Sequence, residues 1–185
     1  MADDIKTSAI FAVLIAVLVI GLYILIRFRD IAFSVGAVAA LVHDTLFIMG
    51  IFSLLKNVMP FSMEVDQSFI AAILTVIGYS INDKVVIFDR IREVFKNYPK
   101  RDRQRIFNDA LNSTLARTIN TSVSTFIVLL VIFVLGGDSI RAFSFAMMLG
   151  VIIGTSSSLF IAAPTAYLVM GARIKEAEEE TEPAK

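Results

Sequence analysis

Asp83 is the residue on which chemistry can be built. It stands in the stretch Thr75-Val-Ile-Gly-Tyr-Ser-Ile-Asn-Asp-Lys-Val-Val-Ile-Phe-Asp-Arg-Ile-Arg-Glu93, which begins inside an apolar run and leaves it through the charged string Asp89 to Glu93. An Asp near the centre of a membrane-spanning helix costs about 2.5 to 3.5 kcal/mol, so it needs a partner and is a candidate for function. Thr75, Tyr79, Asn82 and, through Gly78, Asp83 recur at helical spacing and predict one polar stripe. Lys84 lies about 100° round the helix from Asp83, and its long stem can snorkel to the headgroups, so the site does not require it.

The partner is sought in the other apolar runs. One of them opens with Arg117, Asn120, Thr121 and Ser124 on one helical face. Asp83 lies little more than a turn from the end of its own run, and Arg117 to Thr121 forms the first turn of an antiparallel neighbour, so Asp83 and Arg117 can meet. The plainer alternative is that Arg117 anchors its helix among headgroups. His43 and Asp44 sit mid-run without an evident partner. They are either a proton-handling or gating pair, or a structural pair bonded across helices. Gly150 and Gly154, followed by Thr155 to Ser158, form a small-xxx-small pattern whose default role is close helix packing.

Enzyme chemistry finds little footing. The absence of Cys removes thiolate chemistry and Cys-based metal sites, and a single His with scattered carboxylates supplies no metal ligand set, so neither metal nor cofactor is expected. Asp83 lacks the sequence contexts of an intramembrane aspartyl protease. No Ser has a Gly-x-Ser-x-Gly setting, and no P-loop is present.

The elements that position these residues follow from hydropathy. The chain has 185 residues, 57% of them hydrophobic, and a mean hydropathy of +0.77, which is too apolar for a soluble domain. Five runs can span a bilayer, at about 8–26, 31–55, 67–88, 118–135 and 142–170. Continuous apolar runs exclude a barrel and predict an all-α integral membrane protein, a five-helix transmembrane bundle. Residues 1–7 read as a short external leader without the features of a signal peptide. Residues 89–117 read as a cytoplasmic connector, either an amphipathic surface helix or a solvated link. The acidic tail 171–185 reads as disordered.

Charge sets the expected orientation. Basic and acidic residues number 17 each, so net charge gives no reason to expect nucleic acid. Thirteen of the 17 Lys and Arg fall on one side, among them Arg27, Arg90, Arg101, Arg117 and Arg173, against Lys6, Lys56 and Arg141 on the other. The positive-inside rule puts the richer side, with the C-terminus, in the cytoplasm and the N-terminus outside. An external start without a signal peptide suggests that an upstream span is missing.

Gly78-Tyr-Ser-Ile-Asn-Asp83 with Val85 to Glu93, Ala40-Leu-Val-His-Asp44, Leu115-Ala-Arg-Thr-Ile-Asn-Thr-Ser122 and Gly150 to Ser158 together resemble the SecF branch of the SecD/SecF protein-export family. The resemblance implies part of an RND-type six-helix repeat in a bacterial inner membrane, lacking the first span and the external domain. It implies a proton path on Asp83, Arg117 and Thr121, with proton, or in some members sodium, as coupling ion. His43, Asp44, Asn82, Tyr79 and Asn120 are expected as supporting polar residues. Expected partners are SecD, the SecYEG translocon, YajC, a preprotein and membrane lipid. The rivals are half of another RND-type exporter of small molecules or lipids, and a non-transporting assembly scaffold.

Overall fold

The computed structural model describes residues 2–61, 63–64 and 66–181. Apolar chain satisfies its own backbone only as helix or closed barrel. Five helical stretches here are long and apolar enough to cross a membrane: Thr7–Phe28, Ile31–Leu55, Gln67–Asn97, Arg103–Leu135 and Ile140–Arg173. In chain order the helices are α1 (Ala2–Phe28), α2 (Ile31–Leu55), α3 (Gln67–Asn97), α4 (Arg103–Leu135), α5 (Asp138–Ser157) and α6 (Ala163–Thr181), with a π-helical segment, Ser158–Ala162, joining the last two. No strand occurs among the described residues.

Local chemistry explains where helices stop. Arg29 adopts a left-handed conformation (φ 54°) and its N–H closes on Leu25 O at 2.8 Å, after which the Asp30 carboxylate accepts from Ala32 N at 2.9 Å and starts α2. Asp66 caps α3 through Phe69 N at 2.8 Å, and Asp102 caps α4 through Arg105 N at 3.3 Å. Gly136 ends α4, its N–H bonded to Ile132 O at 2.7 Å.

Three expectations give way at the helix ends. The leader 1–7 is not separate, because α1 is already helical at Ala2. The connector 89–117 is neither a surface helix nor a link. Its two halves continue α3 to Asn97 and α4 from Arg103, leaving a turn at 98–102. Of the spaced apolar residues that read as an amphipathic face, Ile106, Phe107 and Ala110 are buried in an internal seam with Ile91 and Val94 of α3, while Leu111 is half-buried and Leu115 exposed, and the Phe95 and Phe107 rings meet edge-on at 6.1 Å. In the tail, α6 carries helix through Thr181, since Ala, Glu, Lys and Arg extend a nucleated helix at little cost. Residues 182–185 of that expected tail lie outside the described residues.

The last span holds a feature that periodicity does not reveal. Pro164 has no N–H to offer the preceding turn, and its ring crowds the carbonyl four residues back. The π segment absorbs this with a wider bond, Ala163 N–H to Ser158 O.

Packing divides the bundle into two apolar clusters. One holds Leu41, Ile48, Phe52, Ile73, Ile77, Met147 and Val151. The other holds Ile24, Phe33, Ala40, Ile87, Ile91, Ile106 and Ala166. α3 touches every other helix and belongs to both. Between the clusters, among the described residues, every helix except α1 and α6 contributes buried polar groups: Asp44, Ser80, Asp83, Lys84, Thr118, Ser122, Ser157 and Ser158.

Candidate functional site

The intervening polar layer is built on an ion pair that sequence reasoning did not foresee. Lys84 Nζ lies 3.1 Å from Asp44 Oδ2, with the two side chains 0% and 1% exposed. Ser80 Oγ donates to the same Asp44 oxygen at 2.8 Å and accepts from Lys84. Lys84 also reaches Ser157 Oγ at 3.3 Å. Four groups from α2, α3 and α5 therefore satisfy one another out of water, as a buried pair must. His43 Nδ1 sits 3.4 Å from Asp44 Oδ1, at the rim. Two expectations are corrected. Lys84 does not snorkel to the headgroups, because it lies on the face of α3 with Ile77, Ser80, Ile87 and Ile91, all of which turn into the bundle. Asp44 does have a partner in this chain, and that partner is Lys84.

Close approach of α5 to α3 makes this layer possible. A Cβ on Gly154 would stand 2.7 Å from Ser80 Oγ, and one on Gly150 would run into the Val76 side chain. Small residues at both positions let the backbones meet. Hydroxyls extend the contact, with Ser122 of α4 and Thr155 of α5 hydrogen-bonded to each other.

Asp83, beside Lys84, is buried at 4% exposure. Its Oδ2 has no hydrogen-bond partner, and neither does the buried Thr118 Oγ1 of α4. Lys84 and Arg117 are the cations whose charge reaches its carboxyl. Among the described residues Asp83 and Arg117 do not form an ion pair, and Arg117 is exposed. Thr121 Oγ1 donates to Arg117 O at 2.9 Å. Tyr79 Oη donates to Thr125 Oγ1 at 3.2 Å and ties α3 to α4. Asn82 and Asn120 are exposed, so the polar stripe expected on α3 splits, with Asp83 turned inward and Asn82 outward.

The whole length from 1 to 172 matches the family described as protein export membrane protein SecD/SecF, C-terminal. The chain belongs to the SecD/SecF family. Among its relatives, the protein translocase subunit SecF of Rhodothermus marinus is 51% identical over 163 residues, covering 88% of this chain and 53% of that protein. The SecF subunit of Haemophilus influenzae is 40% identical over 167 residues, 90% of this chain and 49% of that protein. The chain thus spans about half the length of the curated relatives it matches. Its fold superposes on the crystal structure of SecDF in a super-membrane-facing form with a TM-score of 0.84 at 34% identity, over 98% of this chain and 24% of that one. For SecDF of Thermus thermophilus, described as a translocon-associated membrane protein, the values are 0.78 and 37%, over 91% of this chain and 22% of that one. As a SecD/SecF family member the protein is a multi-pass membrane protein, and its five-span bundle is the fold of the matching SecDF membrane region.

In this SecD/SecF bundle the signal for the missed residues was present. Ile73, Ile77, Ser80, Lys84, Ile87 and Ile91 recur at spacings of three and four, and the apolar members of that series mark the inward face. Read on that pattern, Ser80 and Lys84 are interior. Ser157 had no comparable mark, because one of four successive Thr and Ser side chains is chosen only by how α5 rotates.

Proposed function

We propose that this chain forms the membrane part of a protein-export subunit, coupling proton motive force to late preprotein translocation through Asp83, Arg117 and Thr121. The observation that carries this is the buried Asp83 carboxyl oxygen without a hydrogen-bond partner, within electrostatic reach of an exposed arginine on the adjacent helix. Deprotonated, Asp83 draws Arg117 inward and closes α3 on α4. Protonated, it gives up that attraction and lets the helices shift. A charge crossing the membrane potential carries about 2.3 kcal/mol per 100 mV, enough to bias such a pair of states more than tenfold.

The proton is the coupling ion in this scheme, with sodium as the variant that the family resemblance allows. The role is transport rather than catalysis. SecD is the proposed neighbour, because Asn82, Arg117 and Asn120 are exposed at a depth where lipid would leave them unsatisfied and a polar helix would not. SecYEG and YajC complete the assembly, and preprotein capture falls to an external domain beyond the matched half. The membrane is the bacterial inner membrane, with the Arg-rich end of the bundle in the cytoplasm. Relatives named as protein translocase subunits support this over a small-molecule or lipid exporter or a scaffold.

The test is Asp83→Asn in the complete export complex, assayed for preprotein release from vesicles with and without a proton gradient. The gradient-dependent fraction is expected to disappear while the gradient-independent step continues. Unchanged gradient dependence would overturn the proposal.

A further inference from the structure

We infer that Asp44 and Lys84 set the charge of the polar layer so that it holds a single proton, and that the proton resides on Asp83. This rests on the relay above only in its choice of Asp83. Three ionisable side chains, Asp44, Asp83 and Lys84, are buried together between the two apolar clusters. Fully ionised, two carboxylates and one ammonium leave one uncompensated negative charge out of water, a state that buried sites avoid. One proton restores neutrality.

Geometry selects its location. Asp44 accepts hydrogen bonds from Ser80 and Lys84 on one oxygen and faces His43 Nδ1 at 3.4 Å with the other, so its ionised form has two donors on Oδ2 and a third within reach when Nδ1 carries the ring proton. Asp83 Oδ2 receives none. Among the described residues the remaining elements supply no further balancing charge at this level. α3 adds Tyr79, already bonded to Thr125. α4 adds Arg117, which is exposed, and α5 with the π segment adds the hydroxyls of Thr155, Ser157 and Ser158. α1 contributes Ile20 and Ile24, and α6 contributes Ala163 and Ala166. Neutral His43 can donate from its ring N–H at the rim. Lys84 is therefore a positioning residue, for it cancels the charge of Asp44 and leaves Asp83 as the exchangeable site. When Asp83 releases its proton, the layer carries one negative charge that an inward Arg117 can balance.

Infrared spectroscopy counts protonated carboxyls directly, because the C=O stretch of the acid is distinct from that of the carboxylate. The complete complex is reconstituted in lipid vesicles at neutral pH, with Asp83→Asn as the baseline. The wild type is expected to show one protonated carboxyl above that baseline. Asp44→Asn is expected to show none, since ionised Asp83 then balances Lys84. Lys84→Met is expected to show two, and the Asp44→Asn/Lys84→Met double variant one. If Lys84→Met does not fold, none in Asp44→Asn against one in the double variant decides the matter. Counts that ignore both single variants, or that move the same way in both, would overturn the inference. So would a rise in His43→Asn, which would put a charged imidazole into the balance. Export is not the readout, so loss of the relay reading in the vesicle assay and failure of these counts are separate results.

Discussion

Asp83 and Lys84 are neighbours in the chain and meet different surroundings in the bundle. A turn of about 100° per residue carries Lys84 to a carboxylate and two hydroxyls, and carries Asp83 to a place where one oxygen bonds to nothing. This difference is what the proposed roles rest on, Lys84 as structural and Asp83 as exchanging. Ser80→Ala removes a hydroxyl that bridges both charges of the buried pair and is expected to destabilise the bundle by about 2 kcal/mol. Asp83→Asn removes no hydrogen bond from Oδ2 and is expected to change stability by less than about 1 kcal/mol. Chemical unfolding in detergent micelles measures both. Equal and large losses would mean that Asp83 is a packing residue after all. At this scale the sequence showed which residue types were costly to bury, and that cost alone singled out Asp83 as a candidate. It misassigned Lys84, because snorkelling and burial are both open to a long side chain until neighbouring helices are in place.

Among the elements, α3 and α5 govern the site. Gly150 and Gly154 allow contact with Val76 and Ser80, and the contact holds the hydroxyl that binds Asp44 and Lys84. Gly154→Leu is expected to force α5 away and to cost about 1 to 3 kcal/mol by overpacking. Gly50→Ala, where an added Cβ meets nothing within 4 Å, is expected to be neutral or to stabilise by up to about 1 kcal/mol through helix propensity. Comparing the two by thermal unfolding isolates packing from propensity. The helix ends carry the clearest differences from the sequence-based reading. With 31 and 33 residues, α3 and α4 run about 46 and 50 Å, well beyond a hydrocarbon core of about 30 Å. A hydropathy window stops where charge begins, but the helical hairpin continues because Phe95, Ile106 and Phe107 pack on it from within.

The whole molecule is incompletely covered. Leu18 and Ile26 on α1 and Val128 and Leu135 on α4 are 60% exposed or more, as suits lipid or a second membrane subunit. At one end, Arg27 pairs with Asp89 and Arg173 with Asp30, both at 3.1 Å, so basic residues that are distant in sequence gather on one rim. The proposed orientation follows from that rim and can be tested cleanly, since the chain contains no Cys. In single-cysteine variants, an impermeant maleimide is expected to label Lys100→Cys in inside-out vesicles and Asn57→Cys in right-side-out vesicles. The reverse pattern would invert the topology.

Hydropathy determined the number of spans and the all-helical class, and the count of Lys and Arg determined the gathering of basic residues at one end, because the cost of burying unsatisfied backbone or charge in hydrocarbon depends on composition and not on which helices touch. The motif around Asp83 pointed to a family by its order of residue types. Tertiary structure decided the rest. It paired Asp44 with Lys84, left Asp83 and Arg117 apart, merged the connector into a hairpin and placed a π turn before Pro164. Each of these depends on the rotation of one helix against another, and a buried charge can be assigned only when its neighbours across the bundle are known.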